Sequence, residues 1–134
     1  MASAFCTAGK LALLDAVAGG TFKAALYTSS ATIDASTPAY TATNEVANGG
    51  GYTAGGVTLT GNATGSGSGV AWIDFNDATW ATATFTARFM LIYNSSDSNR
   101  AYAVIDFGSD KTGQGGNFTF VMPTADASNA IIRI

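Results

Sequence analysis

Ala47 to Gly56 reads ANGGGYTAGG, and Gly49, Gly51 and Ala54 within it satisfy the G-x-G-x-x-A spacing of a dinucleotide-binding turn. Such a turn cradles a pyrophosphate only where a buried strand runs through the glycines into a helix whose N-terminus faces the anion. Here VTLTG follows, with the alternation of a strand, and no Lys stands where a GxxxxGK[ST] loop needs one. The glycines therefore read as backbone. Gly49, Gly51, Gly55 and Gly56 supply positive φ to a sharp reversal, and Tyr52 packs across the bare chain.

Two pairs of carboxylates, Asp74 with Asp77 in IDFNDATW and Asp106 with Asp110 in IDFGSDK, have the residue type for general acid and base work. Both pairs lie where a strand gives way to a turn, a place that favours Asp for local hydrogen bonding. DFNDA also resembles the start of a calcium loop, but it lacks the central Gly, and Phe85 stands where the bidentate Glu belongs. Histidine is absent from the chain, which excludes the Ser-His-Asp and Cys-His arrangements and the HExxH zinc helix. Cys6 is the single cysteine, so no intrachain disulfide forms, and it is expected as a small buried residue on a helix. The expectation is a chain with no catalytic residue, no cofactor and no metal.

Composition points the same way. The chain has 134 residues, the size of one domain with one core. Charged residues make up 11%, less than half the usual share, so Thr, Ser, Asn and backbone must supply most of the polar surface. The net charge is -3 and the six basic residues are scattered, which excludes a nucleic-acid footprint. A surface this weakly charged favours burial in an oligomer or larger assembly. No run reaches the ~20 apolar residues of a membrane span, and Met1 to Phe5 carries no basic residue of a signal peptide.

The elements that must position these residues are mostly strands. SAFCTAGKLALLDAVAGG, within residues 1–20, has the three- and four-residue apolar steps of a helix, with Ser3 as N-cap and Gly19-Gly20 as stop. TFKAALYTS alternates, with Phe22, Ala24 and Leu26 on one side, as a half-buried strand does. Residues 29–44 form a polar loop or arm, with a short strand near Tyr40 to Val46, and are the candidate for reaching a neighbour. VTLTG, VAWIDF, WATATFTARFMLIY, RAYAVIDFG, NFTFVM and AIIRI read as further strands, with GNATGSGSG as a turn and NSSDSN as a hairpin connection. The fold expected is one mainly β domain, an antiparallel sandwich or barrel, with one N-terminal helix. Tyr40, Trp72, Trp80, Tyr93 and Tyr102 are candidate interface aromatics, with packing inside the domain as the commoner fate of such residues. The sequons at Asn62, Asn94 and Asn117 are incidental in a Thr- and Ser-rich chain.

The order of these signals, with EV-x-x-G-x-GYTAGG (Glu45 to Gly56) and IYNSSDSNRAYAVIDFG as its most specific pieces, resembles a family of small structural proteins of tailed bacteriophages. The resemblance covers nearly the whole chain. It implies a non-enzymatic virion component, made in the bacterial cytoplasm, that binds copies of itself and a major capsid or tail protein. Capsid decoration or cement is the first expectation. A tail or head-tail junction protein is the second, and a carbohydrate-binding module on the virion, using Trp72 or Trp80, is the third.

Overall fold

The computed structural model describes residues 1–134. It is mainly β, with antiparallel sheets that stack in a sandwich-like arrangement without closing into a barrel, and one short N-terminal helix. Helix α1 spans Thr7–Ala18. The strands are β1 (Phe22–Tyr27), β2 (Val57–Thr58), β3 (Ala63–Gly67), β4 (Val70–Asp74), β5 (Ala78–Trp80), β6 (Thr86–Asn94), β7 (Arg100–Thr112), β8 (Phe118–Phe120) and β9 (Ile132–Arg133). One sheet has the order β2-β1-β6-β7, a second β3-β4-β9, and β5 pairs with β8.

The main core lies between these sheets. Phe22, Ala24 and Leu26 of β1 and Met90 and Ile92 of β6 meet Ala71 and Ile73 of β4, Trp80 of β5 and Ile132 of β9. The alternation along β1 is as expected, but the strand is buried on both faces. Ala25 and Tyr27 form a second, smaller cluster with Ala31, Ile33, Leu91 and Tyr93. A single core is therefore too simple a picture. What covers the second face is the segment 29–44, which folds back over its own sheet. Tyr40 N–H donates to the Asn99 carbonyl and Ala101 N–H to the Pro38 carbonyl, so this loop also borders the start of β7. It contains an isolated bridge at Ala39, another follows at Glu45 just beyond it, and no strand forms near Tyr40 to Val46.

Several boundaries differ from the sequence reading. The helix starts at Thr7 rather than near Ser3, because Cys6 is the extended residue before the first turn and no side chain caps it. Cys6 is exposed, not buried. WATATFTARFMLIY is two strands, since Ala81–Phe85 leaves one sheet for another and Thr82 takes a φ of 52°. GNATGSGSG is mostly a strand: β3 pairs with β4 across the two-residue turn Ser68-Gly69, whose φ values of 50° and 81° suit the twist of a hairpin. Gly65 in β3 is required by packing, because a Cβ there would stand 2.2 Å from Cζ2 of Trp72. Asn62 donates to the carbonyls of Ala18 and Gly20, which ties the end of α1 to this hairpin.

Candidate functional site

The glycine stretch is a double reversal. Gly49 and Tyr52 exchange backbone hydrogen bonds across Gly50-Gly51, whose φ values of 60° and 88° only glycine adopts without cost. Gly56 N–H then returns to the Thr53 carbonyl, with Gly55 at a φ of 94°. β2 follows directly, so no helix N-terminus faces the loop. Gly56 is pressed against β1, where an added Cβ would lie 1.8 Å from the Ala24 carbonyl oxygen.

The turn is locked by an acid that belongs to neither carboxylate pair. Glu45 accepts hydrogen bonds from the hydroxyls of Tyr40 (2.6 Å) and Tyr52 and from Gly55 N–H (2.7 Å). Tyr52 turns into the core beside Phe85 rather than lying across the turn, and its hydroxyl also accepts Leu26 N–H at 3.0 Å. Tyr93 donates to the Gly55 carbonyl at 2.6 Å and stacks on Tyr40 with centroids 4.8 Å apart. Tyr27 donates to the Thr41 carbonyl at 2.6 Å. Burial, followed by the bonds to Glu45, raises the phenols of Tyr52 and Tyr40 well above the usual tyrosine range; burial first, then lesser charge effects, raises Tyr27 and Tyr93. All four hydroxyls therefore remain protonated donors, and a carboxylate that already accepts three bonds is a structural anchor. The only sequence signal for it is an acid in EVANGGGY, a few residues before a glycine-rich turn that contains Tyr.

The candidate interface aromatics separate into two groups. Trp80 and Tyr93 are 2% and 3% exposed, so neither offers a surface to a partner; this corrects their assignment. Trp80 packs edge-on to Phe118, in the core. Tyr40, Trp72 and Tyr102 are half-buried. Tyr40 belongs to the Glu45 lock, Trp72 lies on Gly65, and Tyr102 packs edge-on to Phe22 while donating to Asp97 at 3.1 Å.

Asp74, Asp77 and Asp106 of the carboxylates proposed for acid and base work are each engaged by different groups of the chain. Asp74 is 2% exposed, accepts Phe75 N–H, and leaves Oδ2 without a partner. Burial pushes its carboxyl above the usual range, and the charges of Asp126 and Asp77 push the same way. Asp77 accepts Met122 N–H at 2.8 Å. Asp106 is paired with Arg88 at 2.7 Å and accepts Gly108 N–H, which holds its carboxyl below the usual range. Neither Asp74, Asp77, Asp106 nor Asp110 lines any of the cavities. No three metal-ligating side chains converge on a point.

Two mainly apolar surfaces lie on the outside. One is the outer face of α1 with Phe5 and Leu13, 58% and 56% exposed. The other is a groove of about 320 Å³ lined by Phe107, Phe118, Phe120 and Val121, with Lys111 and Thr119. Comparison with protein-family models, curated proteins and solved structures gave no match.

Proposed function

We propose that the protein is a non-enzymatic structural component of a tailed-phage virion, a capsid decoration or cement protein that binds the major capsid protein and itself. One observation carries this reading. Every charged side chain except Lys23, Asp110 and Lys111 makes a hydrogen bond within the chain. Charges thus hold the loops of the domain in place, while the surfaces turned outward at α1 and at the phenylalanine groove are apolar. Such a molecule works by contact area rather than by chemistry in a cleft. The resemblance carried by EV-x-x-G-x-GYTAGG and IYNSSDSNRAYAVIDFG supplies the particle.

A tail or head-tail junction protein would present the same surfaces. The carbohydrate-binding alternative has less support, because Trp80 lies in the core and Trp72 covers Gly65. The test is co-sedimentation of the purified chain with phage particles that lack it. Binding that saturates at a fixed number of copies per particle is expected. A protein that stays in the supernatant with both capsids and tails would overturn the reading.

A further inference from the structure

Helix α1 is apolar on every side. Leu14 is buried and Thr7, Leu11, Val17 and Ala18 are half-buried on the side that packs against β3 and β4. The opposite side carries Ala8, Ala12, Leu13 and Ala16, all exposed, and the ring of Phe5 folds back over Gly9. The two charges of the helix are both drawn toward the β3–β4 hairpin. Lys10 Nζ donates to the Gly69 carbonyl at 2.8 Å, and Asp15 accepts the Thr64 hydroxyl at 2.6 Å. A helix at a water-facing surface ordinarily turns its charges outward, and one that is apolar all round is covered on both sides.

The same chain carries a concave counterpart. The groove lined by Phe107, Phe118, Phe120 and Val121 is large enough to accept bulky side chains. Its walls are aromatic, with centroids of Phe107 6.4 Å from Phe118 and 6.0 Å from Phe120, and Val121 stands 69% exposed at its rim. Lys111, its one charged lining residue, forms neither an ion pair nor a hydrogen bond within the chain. Groove and helix lie on different sheets: α1 rests on β3 and β4, the groove between β7 and β8. One molecule can therefore engage both at once.

We propose that the outer face of α1 of one copy docks into the phenylalanine groove of the next, a head-to-tail contact of the helix-in-groove kind. Shape and charge both favour a second copy as the occupant. The helix face is convex and the groove concave, and exposed Asp15, at the edge of the helix face and bonded to Thr64 through one carboxylate oxygen only, is matched by Lys111 at the groove. Phe5, whose ring lies over Gly9, and Leu13, about one turn further along the helix, are the anchors. Together the two patches take up three of the five large exposed apolar side chains: Phe5, Leu13 and Val121. A head-to-tail contact repeats, so copies form a ring if the rotation closes and a filament if it does not. The proposal rests on the self-association part of the functional reading and not on its particle partner.

Analytical ultracentrifugation of the full chain over a concentration series tests it, with Leu13→Glu and Val121→Glu as variants and circular dichroism as the check on folding. The wild type is expected to associate, and each variant alone to associate about tenfold more weakly or worse. An equimolar mixture of the two variants should form one-to-one pairs, because one supplies an intact groove and the other an intact helix face. If either variant fails to fold, Phe5→Ser and Lys111→Glu take their places. A wild type that stays monomeric, a Val121→Glu protein that associates like the wild type, or a mixture that stays monomeric would each overturn the proposal. Co-sedimentation with particles reads a different contact, so either result can fail while the other stands.

Discussion

The Tyr52 hydroxyl donates to the Glu45 carboxylate while accepting Leu26 N–H, so one phenol joins the glycine turn, the loop 29–44 and the central strand β1. This bond gives EV-x-x-G-x-GYTAGG a physical meaning. Glu45 needs Tyr52 and Gly55 N–H as donors, and only glycines bring the chain round to present both.

Removing either partner of that bond is expected to destabilise the fold, Tyr52→Phe by about 2 kcal/mol and Glu45→Ala by about 3 kcal/mol. The larger cost falls on Glu45 because three donors lose their acceptor. In a double-mutant cycle read by denaturant unfolding, the double variant should lose clearly less than the sum of the two single losses. Strict additivity would show that the two residues act independently.

Glycines in the same turn should differ sharply in tolerance. Gly56→Ala forces a Cβ to within 1.8 Å of the Ala24 carbonyl oxygen at a φ of 82°, and should cost more than about 3 kcal/mol or prevent folding. Gly49 has a φ of 110° but open space around it, so Gly49→Ala should cost about 1–2 kcal/mol. Thermal melts of the two variants decide this, and equal losses would contradict the close approach of Gly56 to β1.

The loop 29–44 is expected to be a cover with its own local stability. Ile33, 8% exposed, fills the second cluster, so Ile33→Ala should cost about 2 kcal/mol. Hydrogen exchange should speed up at Ala31 and Tyr40, whose amides bond within or beside the loop, and stay unchanged at Ala71, which bonds to Ile134. A uniform acceleration would mean that the loop and the main core open together.

Asp74 should make the protein less stable as pH rises. Its folded-state pKa is raised above the unfolded value, so the folded state favours the protonated acid, and that advantage is lost as pH climbs from the usual carboxyl range through the raised value. Asp74→Asn keeps the shape without the charge. The stability of Asp74→Asn relative to wild type should therefore increase between about pH 4 and pH 7. A difference that stays constant over that range would show that the buried Oδ2 does not remain a costly charge.

The parts of the fold that follow from local pattern were legible in the sequence. Alternation along Phe22–Tyr27, the apolar steps of Leu11, Leu14 and Val17, and the NSSDSN hairpin each report a local period or turn chemistry. The break between Trp80 and Thr86 was not legible, because an apolar run has the same period whether it stays in one sheet or crosses to another. Residues 63–67 look like a linker by composition, yet Gly65 is a strand residue made necessary by the Trp72 ring. The folding back of residues 29–44 depends on Ile33 and Tyr40 meeting Tyr93 from far along the chain, which no local window contains. Glu45 was visible as part of a motif, but its role needed the positions of Tyr40, Tyr52 and Gly55 together.

The most direct test of the proposed structural role is a low-resolution map of tailed-phage particles assembled in the presence of the chain labelled by a fused tag. Extra density at regular positions on the shell, joined copy to copy, is the result predicted for a decoration protein. A particle that carries no copies of the tagged chain on shell or tail would contradict the account.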